Sequence, residues 1–162
     1  MKNGTIRPAT KTDAQVIVEL IRQLADYEKL SHEAVMTAEL IEKNVFENEY
    51  AHVLLVEENE AIIGFALYFF NFSTFLGKPG LYLEDLFIEP QHRGKGYGKQ
   101  LLIELARIAV EKECGRMEWI VLDWNTPSIE FYKSLGAFPL DEWTVYRLTE
   151  EKMKALASAD KK

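Results

Sequence analysis

The chain has 162 residues, of which 48% are hydrophobic, 12% aromatic and 28% charged. That length suits one domain with a core that needs neither disulfide nor metal, and the composition excludes a disordered chain, a coiled coil or a collagen-like fibre. The 19 basic residues against 26 acidic ones leave a net charge of −7, which disfavours nucleic acid and anionic lipid and favours cationic partners.

Cys114 is the single cysteine, so neither an intrachain disulfide nor a cysteine-based zinc site can be assembled. Lys2, Arg7, Lys11 and Asp13 stand where an export signal needs its apolar core. The uncharged run from Ala61 to Gly77 falls short of the ~20 residues of a membrane span, and Asn71, Ser73 and Thr74 interrupt it. The expected setting is a reducing, cytoplasmic one, with no membrane and no nucleic-acid partner. The sequons at Asn3 and Asn71 are read as chance.

In chain order, Thr5-Ile6-Arg7 before Pro8 reads as a short strand. Thr10 caps a helix, with Asp13 completing a capping-box-like pair, and Val16, Ile17, Leu20, Ile21 and Leu24 form its apolar stripe. A shorter helix after Thr37 carries Leu40, Ile41, Val45 and Phe46. His52 to Glu57 and Ala61 to Phe72 read as a hairpin turning at Glu58-Asn59-Glu60, and Leu81 to Glu89 as a further strand closed by Pro90. A long helix then presents Leu101, Leu102, Leu105, Ala106 and Ala109 on one face, with Gly115 as its stop. Met117 to Asp123 is an apolar strand, and Asn125 or Thr126 caps the next helix, with Pro127 in its first turn and Gly136 near its end. Glu142 to Leu148 reads as a last strand and Thr149 opens a terminal helix. The expected architecture is α/β: a single domain over residues 1–157 with a mixed, mostly antiparallel central sheet flanked by helices, and a frayed tail over 158–162.

The most informative stretch is Gln91-His92-Arg93-Gly94-Lys95-Gly96-Tyr97-Gly98-Lys99-Gln100, which follows a strand and opens a helix. Glycines let a ligand approach the backbone, and free amides at a helix N-terminus bind phosphate. Arg93, Lys95 and Lys99 add local positive charge, while His92 reads as exposed loop. Taken alone, the glycines fit a plain tight turn equally well. The order of a Walker P-loop is absent, and the one-residue glycine spacing differs from a dinucleotide fingerprint.

The arrangement Arg93-x-x-Gly96-x-Gly98 resembles the acetyl-CoA loop of the GCN5-related N-acetyltransferases (GNAT). The resemblance extends to Ile6–Thr10, to Tyr27-Glu28, to the strand Leu81–Ile88 and to the segment Trp124–Ala137. It points to the diamine branch, the spermidine/spermine and thialysine acetyltransferases. It implies the GNAT acyl-CoA N-acyltransferase fold, a homodimer, and transfer of acetyl from acetyl-CoA to a primary amine of a small cationic acceptor by direct attack. Acetyl-CoA, as the acetyl-donating cosubstrate, would be held by Leu86, Phe87 and Ile88, by Arg93, Gly94, Lys95, Gly96, Tyr97, Gly98 and Lys99, and by Asn125, Thr126, Pro127, Ser128 and Tyr132. The amine would meet Tyr27, Glu28, Glu84, Asp85, Glu118, Trp119 and Ile120. The family's acidic contact near its last strand falls here on Thr144, with Asp141 and Glu142 slightly earlier, which is a departure.

An alkyl amine has a pKa of about 10.4, so roughly one in a few thousand is reactive at neutral pH and a proton acceptor is required. Glu84 suits a base acting through water, or a simple binder of the cation. Glu84 and Asp85 are adjacent and point to opposite faces of a regular strand, unless a bulge re-aims one of them. Tyr132 suits a general acid by the resemblance, and core packing beside Phe131 by composition. Trp143 and Tyr146 suit a pocket or a dimer face. Cys114 lacks a histidine partner, and His32, His52 and His92 lack ligand spacing, so no metal is expected. Acetylation of a protein lysine or N-terminus, and a non-catalytic acyl-CoA sensor, are the alternatives.

Overall fold

Five strands form one mixed sheet in the computed structural model, which describes residues 4–159. They are β1 (Gly4–Pro8), β2 (His52–Glu58), β3 (Ala61–Ser73), β4 (Lys78–Ile88) and β5 (Arg116–Glu118), in the order β1-β2-β3-β4-β5. The first three pairings are antiparallel and β4 with β5 is parallel, as the expected fold class requires. Asn59 (φ 51°) and Glu60 (φ 67°) make a two-residue turn between β2 and β3, the left-handed geometry that matches strand twist. Glu58 is therefore the last residue of β2, not part of the turn. β3 and β4 run longer than the alternation suggests, because Gly77 (φ 66°) closes them into a hairpin with its N–H on Ser73 O at 2.8 Å.

The described chain divides into two units, one ending at Leu122 and the other beginning at Asp123. In the first, one turn of 3-10 helix (Lys11–Asp13) leads into α1 (Ala14–Tyr27). Ile17, Val18, Leu20 and Leu24 of α1 pack with Val53, Leu55, Phe65 and Phe87 on one face of the sheet. Each such burial is worth roughly 1.5–3 kcal/mol relative to exposure. α2 (Ala38–Ile41) widens into a π turn (Glu42–Glu47), so Ile41 and Val45 are buried while Leu40 is exposed, against its expected place in the stripe. α3 (Tyr97–Glu111) packs on β4 and β5 through Leu101, Leu102, Leu105 and Ala109, whereas Ala106 lies in solvent. The left-handed residue after α3 is Glu113 (φ 57°), not Gly115. Gly115 serves a close approach instead: its N–H reaches Pro79 O at 2.9 Å, and a Cβ there would press on Leu76 at 2.8 Å.

β5 ends at Glu118, short of the strand expected to Asp123. The ladder it needs stops at Tyr82, because β4 changes course just beyond. In the second unit, Asn125 caps α4 (Thr126–Ser134), with Oδ1 accepting from Ser128 N at 3.4 Å. Gly136 (φ 92°) ends it with the paired bonds Gly136 N to Lys133 O and Ala137 N to Tyr132 O, a Schellman closure. Thr149 caps α5 (Glu150–Ala157). The expected strand Glu142–Leu148 is not formed. Its aromatic and β-branched residues suit a ladder, but no described strand pairs with them, and an extended segment without a partner is not a strand. Lys2, Asn3 and the tail residues Asp160, Lys161 and Lys162 lie outside the described residues.

Asp13 ties β1 to the start of α1. Its carboxylate accepts from both terminal nitrogens of the Arg7 guanidinium at 2.9 and 3.1 Å and from the Thr10 N–H at 2.7 Å. The Arg7 hydrogen bond, aided by Thr10, holds its pKa down to about 2 from 3.8. A depressed carboxylate pKa contributes stability above its unfolded value, lost as the pH falls from about 4 through about 2. Asp13→Asn should therefore cost about 1–2 kcal/mol at neutral pH and show no such loss on acidification, measured by urea denaturation across that range.

Candidate functional site

β4 carries one residue more than its partner at a single place. Asp85 pairs with Leu67 and Leu83 with Tyr68, so Glu84 is the unmatched residue of a β-bulge. β4 pairs with β5 only at Gly80, Leu81 and Tyr82. From the bulge onward β4 keeps one ladder, that with β3. Glu89 N donates to Ile63 O of β3 at 2.9 Å. By alternation the N–H groups of Leu86 and Ile88 face the opposite edge, which no strand pairs among the described residues.

The bulge also resolves the two adjacent carboxylates. Asp85 is partly covered on the strand face opposite Leu67, which packs against the α1 core, and Glu84 is exposed. Burial first, then the charges of Glu84 and Glu28, raise the Asp85 pKa from 3.8 to about 7. Glu28, at the C-terminal cap of α1, is itself raised by burial and by Glu84. Tyr82 is raised by burial, Glu84 and Glu118. Glu28, Tyr82, Glu84, Asp85 and Glu118 thus share one electrostatic neighbourhood. Arg116 pairs with Glu118 at 3.1 Å, Trp119 is half-buried and Ile120 is exposed. Such a cluster suits a cation, and Asp85 holds a proton in the neutral range.

The glycine-rich turn runs from the 3-10 turn Pro90–His92 to the start of α3. Gly94 (φ 80°) and Gly96 (φ 86°) both adopt the left-handed conformation that glycine enters without strain. A Cβ added at Gly94 would meet nothing within 4 Å, and one at Gly98 only Leu86 Cδ2 at 3.7 Å. The turn is open above its backbone, which fits an anionic ligand held by amides. Its cations are exposed, and two of them also make bonds within the protein. Arg93 Nε donates to Ile88 O at 2.8 Å, and its guanidinium lies 4.9 Å from the Tyr27 ring centre and 5.4 Å from that of Phe87. Lys95 Nζ donates to Glu58 Oε1 at 2.9 Å. Lys99 is exposed. His92, expected in open loop, is half-buried with Nδ1 3.3 Å from that same Glu58 oxygen, and Tyr97 donates its hydroxyl to the other. These bonds, that from Tyr97 first, pull the Glu58 pKa down to about 2, and Glu58 in turn pushes Tyr97 up to about 12. Glu58 escaped the sequence reading because hairpin composition marks it as a turn residue, and its partners lie 37 and 39 residues away.

In the second unit, Asn125 is buried and spends Oδ1 on the helix cap, with Thr126, Pro127 and Ser128 in the first turn. Tyr132 is half-buried on α4, its ring centre 5.7 Å from that of Phe131. Asp141, Glu142, Trp143, Thr144 and Tyr146 are exposed in the stretch without strand. Among the described residues no cluster of histidine, cysteine or carboxylate side chains is arranged to hold a metal, and no helix is long and apolar enough to cross a membrane.

A model of the acetyltransferase (GNAT) family matches residues 17–137. Among curated proteins, a mouse thialysine N-epsilon-acetyltransferase is 36% identical, covering 97% of this chain and 99% of its own. An L-ornithine N5-acetyltransferase of Arabidopsis thaliana is 32% identical, covering 93% and 86%. Among solved structures, an integron cassette protein from the mobile metagenome of V. cholerae superposes with a TM-score of 0.82 at 28% identity, over 98% of this chain and 100% of that one. An aminoglycoside N-acetyltransferase in complex with CoA shares the fold, with a TM-score of 0.74 at 21% identity over 91% and 96%.

The raised Asp85 pKa carries a stability signature. A carboxyl raised from 3.8 to about 7 stabilises the fold below its unfolded pKa, and that contribution is lost as the pH rises through about 7. Asp85→Asn should therefore be more stable than the parent at pH 8, by up to about 4 kcal/mol, with the difference gone near pH 3. Chemical denaturation at both pH values tests this. Equal stability throughout would mean that Asp85 ionises like a solvated carboxylate.

Proposed function

The chain belongs to the acetyltransferase (GNAT) family, and from that premise we propose that it acetylates a primary amine of a small cationic acceptor: a diamine, polyamine or lysine-like molecule. The observation that carries this reading is the cluster of Glu28, Glu84 and Asp85 at the β4 bulge, three carboxyl groups within electrostatic reach of one another at one end of the strand's open edge. The thialysine and ornithine acetyltransferase relatives agree in acting on small amines. Residues 1–157 would then act as one cytoplasmic acetyltransferase domain, homodimeric as the family resemblance implies.

Acetyl-CoA supplies the acetyl thioester when bound. Leu86 and Ile88 would offer main-chain N–H groups, one serving as an oxyanion donor worth a few kcal/mol of barrier. The amides from Gly94 to Gly98 would take its diphosphate, with Lys99 adding charge, and Asn125 to Ser128 would line its arm. Arg93 and Lys95, exposed beside the loop, would add charge there while also shaping it through bonds within the protein. Tyr27, Glu28, Glu118, Trp119 and Ile120 would surround the acceptor. Glu84, exposed on the bulge, would draw the ammonium proton through water, and Tyr132 would protonate the departing thiolate. One observation favours a second acceptor for that proton. Asp85 ionises near neutral pH and so matches the range in which a general base works best.

A panel of amines assayed for CoA release at fixed acetyl-CoA tests the reading. Acceptors with a second positive charge should exceed equal-length monoamines by about tenfold to a few hundredfold in kcat/KM, and added salt should erode the margin. Glu28→Gln should cost the dication more than the monoamine. Best activity with neutral or anionic amines would remove the cationic-acceptor reading, and CoA release with no amine at all would favour an acyl-CoA sensor.

Tyr132→Phe keeps the ring and removes the proton donor. Turnover should fall by about 10²–10⁴-fold with acetyl-CoA affinity unchanged, as separated by steady-state kinetics and calorimetry. A loss below about threefold, with the chemical step shown to limit turnover, would leave Tyr132 a packing residue.

A further inference from the structure

We infer that Glu58 is the positioning residue that holds the glycine-rich loop in its ligand-binding shape, an inference that rests on the reading of this loop as the CoA diphosphate site. Glu58 ends β2, 7% exposed, and its carboxylate meets the loop at three places. It faces His92 at the entry, accepts from Lys95 between the two left-handed glycines, and accepts from Tyr97 at the first residue of α3. Tyr97 is itself fixed, because its ring fills the space where any side chain at Gly4 of β1 would stand, with ring atoms 2.5–2.7 Å from that Cβ position. The carboxylate therefore anchors a segment containing Gly94, Gly96 and Gly98 to the β1–β2 edge of the sheet.

An acid in this place opposes the expected role of its neighbours. By charge alone it repels a diphosphate and cancels the attraction of Lys95. What it supplies is order. Glycines lose more backbone freedom on ordering than any other residue, and fixing even one residue is worth about tenfold in affinity. The loop backbone at Gly94 and Gly96, where the diphosphate would sit, is exposed, and a charge interaction there is worth at most about fivefold. Order and charge thus predict opposite signs when the carboxylate is removed, and the structure, with Glu58 spending both oxygens on the loop, assigns the larger effect to order.

The test is calorimetry of CoA binding to the parent protein, to Glu58→Gln and to Tyr97→Phe, with hydrogen exchange of the loop amides. Glu58→Gln removes the charge and the Lys95 pairing at nearly constant volume. Tyr97→Phe removes one clamp bond while leaving the ring and the net charge in place, so it remains informative where Glu58→Gln fails to fold. Both variants should bind CoA more weakly, Glu58→Gln by about tenfold or more, with faster exchange over residues 93–98 in the ligand-free protein. In Glu58→Gln the KM for acetyl-CoA should rise while kcat at saturation changes by less than about threefold, a split that a general loss of stability does not produce. Equal or tighter CoA binding by Glu58→Gln, or by Tyr97→Phe where the former does not fold, overturns the inference and leaves Glu58 a stability residue. A parent protein that fails to bind CoA removes the diphosphate reading and this inference together, whereas parent binding with unaffected variants removes this inference alone.

Discussion

The backbone of β4 between Tyr82 and Asp85 is the constraint on which the rest of the site depends. Up to Tyr82 the strand is hydrogen-bonded on both edges, to β3 and to β5. At Glu84 one extra residue enters, the ladder shifts, and β5 is left behind after Glu118. A bulge bends its strand and sharpens its local twist, and two functional properties come from that single irregularity. Main-chain donors at Leu86 and Ile88 face an edge without a partner strand, in a segment whose Phe87 side chain is locked into the core. Of two consecutive carboxylates that a regular strand would send to opposite faces, Asp85 is raised by its burial and by the charge of Glu84 beside it.

The charge distribution follows the same division. The net charge of −7 discourages polyanions in general, yet it is used locally for opposite ends. Near the bulge, Glu28, Glu84 and Asp85 repel one another, and Asp85 answers by keeping its proton into the neutral range. That is a cost in fold stability at high pH, of the kind tolerated where a site needs an unrelieved charge. At the loop, by contrast, the acidic group is matched: Glu58 has three partners and a pKa held down to about 2. At the bulge, burial and neighbouring carboxyls raise the pKa of Asp85, and at the loop hydrogen-bond donors lower that of Glu58.

Much of the architecture was legible because it depends on local signals. The stripe through Ile17, Leu20 and Leu24, a cap at Asn125 or Thr126, the cap at Thr149, and the glycine-rich turn that opens α3 are each written within one turn or one strand. The failures are non-local. Nothing near Met117–Asp123 or Glu142–Leu148 reports whether a partner strand exists, and both segments have the composition of strands without, for most of their length, a ladder. The bulge at Glu84 left only a hint, two acids side by side on a strand that needs one of them re-aimed. Glu58 left none, since a glutamate before Asn59-Glu60 looks like any hairpin flank until α3 brings Tyr97 to it.

Arg93 joins the two ends of the site. As the first basic residue of a glycine-rich turn it reads as a phosphate ligand, and though exposed it also bonds within the protein. Nε bonds the carbonyl of Ile88, on the same open edge as the Leu86 and Ile88 amides, and the cation lies near the faces of Tyr27 and Phe87. Cation–π contacts of this kind are worth about 0.5–2 kcal/mol each, enough to fix a side chain that would otherwise sample many rotamers. Tyr27 immediately precedes Glu28, so the residue that anchors the loop to β4 also braces the end of α1. One arginine thus ties the loop to the end of α1, through Tyr27, and to the core, through Phe87.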